Sequence, residues 1–225
     1  MQEPATASPM IFPETVFNSS ASHLAAYLGS SALNYTLVGD AGTFLQGLAV
    51  AANWLGNGSA EACVVIGAEE PDWIAADALR LFERNSVHTS GAGAVYLKSE
   101  HPSFAAVELA AVTDSFVAAG IPGRAEAARK MRAQLPACAP HELLCAGAGG
   151  HAAWQDWTET VLTTESVLGE AFAASAAWQC VAACDAIHRR KYRHANVSIT
   201  GASLQAIGAR FANPYFLKTP ARTSP

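Results

Sequence analysis

Residues Tyr35–Gly47, "YTLVGDAGTFLQG", turn sharply from an apolar, β-branched run into a helix of small residues by way of Asp40-Ala41-Gly42. A tight strand-to-helix turn lifts one side chain to the helix N-terminus, a position that suits a nucleophile. Acyl chemistry there needs a Cys or Ser at the tip, and this tip carries Asp40, Ala41, Gly42 and Thr43. Asp40 offers a base and Thr43 a hydroxyl. Against that, Asp tolerates tight turns and caps a following helix, and Thr43 has no base beside it. Capping is the favoured reading for both.

Other chemistry-bearing residues are sparse. His151 and Asp156 lie five apart in a predicted helix, a spacing that misaligns them for a proton relay. Glu170 sits in the apolar stretch "LGEAFAAS". A carboxylate buried there without a partner would be costly and would titrate upward, so a hydrogen-bond or ion-pair partner is expected. His23, on an apolar helix, reads as a core or interface histidine. Cys180 and Cys184 share a helix face four residues apart, with no further ligands evident for a metal, and read as small buried hydrophobes. "GAGAVYL" and "GAGG" match neither a phosphate loop nor a dinucleotide fingerprint. No cofactor and no metal are expected.

Elements that would position these residues alternate along the chain. Helices are predicted over "NSSASHLAAYLG" with a Gly stop, "TFLQGLAVAANWLGNG", "PDWIAADALRLFERN", "GRAEAARKMRAQL", "HAAWQDWTETVL" and "LGEAFAASAAWQCVAACDAIHRR". Strands are predicted over "NYTLVG", "EACVVIGAEE" (covered on both faces), "GAGAVYLKSE", "FAAVELAAVTDS", "ELLCAGAGG" and two short stretches around Gly201. Strand–helix alternation in both halves predicts a layered α/β fold with a mostly parallel sheet. With no low-complexity linker, 1–225 reads as one unit with pseudo-halves at about 1–103 and 104–225.

Bulk composition narrows the function classes. The 225 residues are 51% hydrophobic and 15% charged, apolar enough to expect a large core or a subunit interface. Net charge is −5, and the one basic run, "HRRKYRH" (His188–His194), follows an apolar helix where cations suit the last turn, so nucleic-acid binding is disfavoured. No apolar run reaches the roughly 20 residues of a membrane span, and the N-terminus lacks the pattern of a signal peptide. Five cysteines with no CxxC pair suggest a reduced, cytoplasmic protein.

The order of these segments resembles the β-ketoacyl synthase family of the thiolase fold. "VFNSSASHLAAYLG" is similar to the helix before the synthase elbow, and "AANWLGNGSAEACVVIGAEE" to the helix, turn and apolar strand after it. "NSVHTSGAGAVYLKSE" resembles the strand closing the family's first half. "CAGAGGHAAWQDWTE" is similar to its "HGTGT…D…E" loop, "TTESVLGEAFAASAA" to "STKxxxGHxxGAAGA", and "NVSITGASLQAIGARF" to the terminal "NSFGFGGxNxxLV" hairpin. The match spans most of residues 9–211, and no motif is intact.

That resemblance implies a layered α-β-α-β-α thiolase-like fold, truncated at the N-terminus by roughly a hundred residues, with mostly parallel sheets. It also implies chemistry that fails position by position. The elbow Cys falls on Ala41. The first His falls on Ala148, with His151 three residues later; the Lys of "STK" falls on Glu165, and the second His on Glu170. Such a chain resembles chain-length-factor subunits, which lack the Cys and pair with an active ketosynthase, and the ketosynthase-like proteins of aryl polyene clusters. The resemblance thus implies a homodimer or a heterodimer with a ketosynthase, possible contact with acyl carrier protein, and a subunit contact at the predicted strand Tyr35–Val38. The alternatives are an acyltransferase or hydrolase acting on acyl thioesters through Asp40, Thr43, His151 and Glu170, or a structural homodimer.

Overall fold

The computed structural model describes residues 16–70, 73–81, 87–99, 107–147, 153–200 and 205–215. The chain divides into two compact units, Met1–Val38 and Gly39–Pro225. In the first, helix α1 (Ser19–Tyr27) ends at Gly29, whose φ of 63° lets the chain turn back. There Gly29 N–H bonds Ala26 O at 3.1 Å and Ser30 N–H bonds Ala25 O at 2.9 Å, the paired closure of a glycine C-cap. The predicted stop holds. The predicted strand at Asn34–Gly39 does not: residues 33–38 carry no strand pairing. A run of strand-forming residues becomes a strand only when a neighbour takes its N–H and C=O groups.

The second unit is built of two sheets with helices between them. Helix α2 (Gly42–Gly56) is followed by β1 (Ala62–Glu69), helix α3 (Trp73–Arg80) and β2 (Gly91–Lys98). Strands β1 and β2 pair antiparallel from Ala62↔Lys98 to Glu69↔Gly91. Strands β3 (Glu108–Val112), β4 (Phe116–Val117), β5 (Glu142–Ala146), β6 (Thr160–Leu162), β7 (His194–Thr200) and β8 (Gln205–Ala212) form the second sheet. Its order is β3-β8-β7-β5-β6, with β4 beside β8. Helix α4 (Arg124–Ala133) lies between β4 and β5 in sequence, and α5 (Glu165–Leu168) and α6 (Phe172–His188) between β6 and β7.

The layered α/β expectation holds, but the sheets are mixed. Among the described strands, β5–β6 and β5–β7 are parallel, while β1–β2 and the pairings of β3, β4 and β7 with β8 are antiparallel. Alternation of strand and helix in sequence does not set direction when a chain also makes hairpins, as β7 and β8 do. A second correction concerns "HAAWQDWTETVL", expected as one helix. It turns at Trp154–Trp157 through a 2.9 Å backbone bond and then supplies edge strand β6. The β-branched Thr160 and Val161 find a ready parallel partner in β5, and pairing outweighs local propensity.

Helix α6 explains its own composition. It packs against β1 and β2 on one side and β5, β7 and β8 on the other. Ala174, Ala176, Ala177, Cys180 and Ala183 are each 0% exposed. These small side chains on its packed faces let two sheets approach one helix. The strands answer with glycine: a Cβ on Gly67 would strike the Ala173 carbonyl, and one on Gly93 would come within 2.8 Å of Ala177 Cβ. Helix α4 covers the outer face of the second sheet, where Ala128, Met131 and Leu135 pack with Leu144, Trp154 and Ala206. Strand β1 is covered on one face only, against expectation: Val64 and Ile66 remain 59% and 45% exposed beside Tyr96.

Candidate functional site

The elbow begins helix α2. Asp40 Oδ1 accepts the Gly42 N–H at 3.1 Å, and the Asp40 carbonyl accepts the Thr43 N–H at 3.0 Å. Asp40 therefore serves as the expected capping residue. Ala41 has ordinary helical angles, φ −52° and ψ −36°, so the turn is unstrained. Thr43 is buried.

Beyond Ala41 lies a cavity of about 40 Å³, with room for about three waters. Its walls come from the C-terminal ends of β5 (Gly147) and β7 (Ser198, Thr200), from Glu165 of α5, and from Glu170, Ser175 and Gln179 at the start of α6. A crevice at the carboxyl ends of parallel strands, closed by helix N-termini, is where α/β sheets gather their chemistry. Ala41 meets Glu165 and Glu170 here, more than a hundred residues away from it in sequence. Ala148 and His151 lie outside the described residues; Gly147, just before Ala148, lines the cavity. Neither Asp40 nor Thr43 does.

Glu170 is held by its neighbours. Its Oε1 accepts the Phe172 N–H at 2.6 Å. Its backbone is tied to the lead-in of β2: Glu170 N–H to Val87 O at 2.8 Å, and Thr89 N–H to Glu170 O at 3.0 Å. Phe172 adopts a φ of 42°, the left-handed region unfavourable for a bulky residue, and its ring stacks on His88 at 6.0 Å. Burial pushes the Glu170 carboxyl up to about 7, helped by the charge of Glu165 and a hydrogen bond between the two side chains; the Phe172 N–H and Ser175 hydroxyl oppose the rise. The partners expected for Glu170 are thus the Phe172 N–H and the Ser175 hydroxyl, with the carboxyl of Glu165 nearby raising its titration.

Several polar groups here escape sequence reasoning. Ser175 Oγ accepts the Ala171 N–H at 2.7 Å, which caps α6. Ser198 Oγ accepts the Trp154 indole N–H at 2.9 Å. Gln179 is 1% exposed, and its side-chain oxygen has no hydrogen-bond partner. A lone amide in an otherwise apolar helix was the available signal, since buried polar atoms require partners. The cysteines behave as buried hydrophobes: burial pushes Cys145 and Cys184 up to about 12 and Cys180 well above its ordinary value. Among the described residues, no group of three His, Cys, Asp or Glu is placed to hold a metal.

A second polar cluster occupies the opposite strand ends and is structural. Arg210 of β8 donates to Glu142 Oε1 at 2.5 Å and to Asn196 Oδ1 at 3.0 Å, and His194 Nδ1 lies 3.0 Å from Glu142 Oε1. Burial, aided by the Arg210 charge, lowers the His194 pKa.

No family model and no curated protein sequence matches the chain. Solved structures do. A type II polyketide acyl-carrier protein in complex with its ketosynthase (AntDE:AntF) superposes with a TM-score of 0.74 at 14% identity, over 92% of this chain and 65% of that one. The ishigamide ketosynthase/chain length factor gives 0.71 at 19% identity, over 93% and 65%. β-Ketoacyl-[acyl carrier protein] synthase III from Thermus thermophilus gives 0.60 at 19%, over 89% and 74%. The chain thus spans about two thirds of the length of these structures, and it has the thiolase-like fold of the ketosynthases.

Proposed function

We propose that this chain is a ketosynthase-like subunit without condensing chemistry, of the chain-length-factor kind. In this reading it pairs with an active β-ketoacyl synthase in polyketide, aryl polyene or fatty-acid-like biosynthesis in the cytoplasm. One observation carries the reading. Ala41, Glu165 and Glu170, the positions matched to the elbow Cys, the Lys and the second His, line one cavity, and none of them can serve as the group it replaces. A methyl group cannot hold a thioester, and carboxyls cannot supply the cationic or imidazole help that decarboxylative condensation draws on. The ketosynthase/chain-length-factor and carrier-protein complexes among its structural neighbours support the pairing. We treat 1–225 as one unit with halves meeting near residue 103. No described helix is long and apolar enough to cross a membrane.

The test is a condensation assay with acyl- and malonyl-carrier-protein substrates. This chain alone should give no product and no acyl-enzyme by intact mass spectrometry. Co-expression with an active ketosynthase partner should yield a stable complex, while a self-paired chain would sediment as a homodimer. A covalent acyl adduct near residue 41 would overturn the reading. The Glu165–Glu170 pair favours one second reading, an acyl-thioester hydrolase using a carboxyl acid–base pair. Thiol release lost in Glu165→Gln would favour it.

A further inference from the structure

Edges of the second sheet are guarded, and that of β1 is not. Strand β6 has three residues, and β3 carries Glu108 and a bulge between Leu109 and Ala111, devices that keep an edge from pairing further. Strand β1 has eight residues, with no Pro and no charge before Glu69. Glu61 O accepts the Ser99 N–H. Antiparallel alternation then puts the N–H and C=O groups of Ala62, Val64, Ile66 and Ala68 on the open side of β1, where no described residue forms a ladder with them. The matching edge of β2 is partly taken, because Ala92 O accepts the Trp178 indole N–H at 3.0 Å. The outer face of the two strands is equally bare. Its outward residues are apolar except Lys98, and Val64, Ile66 and Tyr96 are the largest of them.

The chain itself carries the two elements this surface lacks, a strand for the edge and a helix for the face. Helix α1 buries none of its nine residues, and a helix that short does not hold in water unaided. Residues 33–38 are rich in strand formers yet lie in no strand. Both surfaces are open in the single chain, where Phe17 and Tyr27 are 81% and 87% exposed. We propose that the outer face of β1–β2 and the open edge of β1 receive the α1 segment, residues 17–38, of a second copy. The exchange is reciprocal about a two-fold axis: residues 33–38 add a strand to β1, and α1 lies over Val64, Ile66 and Tyr96. Area separates this from simpler pairing. The outer face exposes on the order of 400 Å² of side chain, so two faces packed together would bury roughly 800 Å², short of the about 1,200 Å² a stable interface needs. The α1 segment carries eight exposed large apolar side chains. With half of it buried it adds about 500 Å² to each of two equivalent contacts, which brings the total to roughly 1,800 Å², the size of a specific interface.

The test is sedimentation equilibrium of the full chain with two single variants, Val64→Lys on the receiving face and Tyr27→Glu on the donated helix. Wild type should be a dimer at micromolar concentration. Each variant damages both contacts of its own homodimer and should weaken dimerisation at least about thirtyfold. Circular dichroism should stay that of the wild type, since both side chains are exposed in the single chain; Tyr96→Lys serves if Val64→Lys fails to fold. Mixed together, the two variants should form a heterodimer tighter than either homodimer. One of its contacts is intact, and the other sets the new carboxylate beside the new ammonium. A monomeric wild type, whether its face is covered by its own α1 segment or taken only by a ketosynthase, would overturn the exchange. So would dimerisation indifferent to Tyr27→Glu, which marks face-to-face packing, or the absence of rescue on mixing. The contact does not rest on the function proposed above: condensing activity in the wild-type chain would refute that reading and leave these sedimentation results untouched.

Discussion

Replacing Glu170 by Gln removes a titrating group while keeping its shape and its capacity to accept the Phe172 N–H. The carboxyl is raised from 4.5 to about 7 in the folded protein, so between those values the folded state holds a proton that the unfolded state has lost. Stability from this group is therefore fully present below about pH 4.5 and is lost as pH rises through about 7. The gap, at about 1.4 kcal/mol per pH unit, sets an upper figure of about 3 kcal/mol, or about 2 kcal/mol after discounting for solvent screening of a half-buried side chain. The assay is urea unfolding of wild type and Glu170→Gln at pH 5, 6, 7 and 8, compared as differences so that other carboxyls cancel. The two proteins should be nearly equal at pH 5, and the variant should gain about 2 kcal/mol by pH 8. Glu165→Gln should flatten the wild-type profile by removing the like charge. Parallel profiles of wild type and Glu170→Gln across this range would refute the raised titration of Glu170.

Three further outcomes follow from named contacts. Ala41→Cys should not restore condensation, because Glu165 and Glu170 remain where a cation and an imidazole are required; product formation in a carrier-protein assay would show that the site is mapped wrongly. Arg210→Met should cost about 3–5 kcal/mol in chemical denaturation by stranding the buried Glu142 charge, and the Glu142→Gln/Arg210→Met pair should recover at least half of that loss. Gly67→Ala should destabilise by about 1–3 kcal/mol, since the new methyl meets the Ala173 backbone carbonyl, which has no free rotation to escape; a neutral Tm would show that β1 and α6 are less closely packed.

Much of the architecture was legible in residue order. The helix over Phe172–His188 and the strand at Glu142–Ala146 stand where they were expected, because apolar periodicity and run length are local properties; which strand is covered on both faces was not legible, since β1 was expected to be and is not. Ala41, Glu165 and Glu170 could likewise be named by position, and they do converge. Residues 33–38 and Trp154–Leu162 were misread because strand formation depends on a partner supplied from elsewhere in the chain. Strand direction in the mixed sheets escaped for the same reason.

By itself the sequence determined which side chains are available at the cavity: a methyl group at Ala41 and two carboxyls at Glu165 and Glu170. Only tertiary structure decided what those carboxyls do. Glu165 and Glu170 are five residues apart on different elements, and nothing in their spacing says that burial and a neighbouring carboxyl raise the titration of Glu170. That depends on the left-handed turn at Phe172, on the strap of residues 87–89 across Glu170, and on burial behind β5 and β7. A carboxyl's titration and an amide's unmet acceptor are set by distance and dielectric, which come into being only when remote segments close around them.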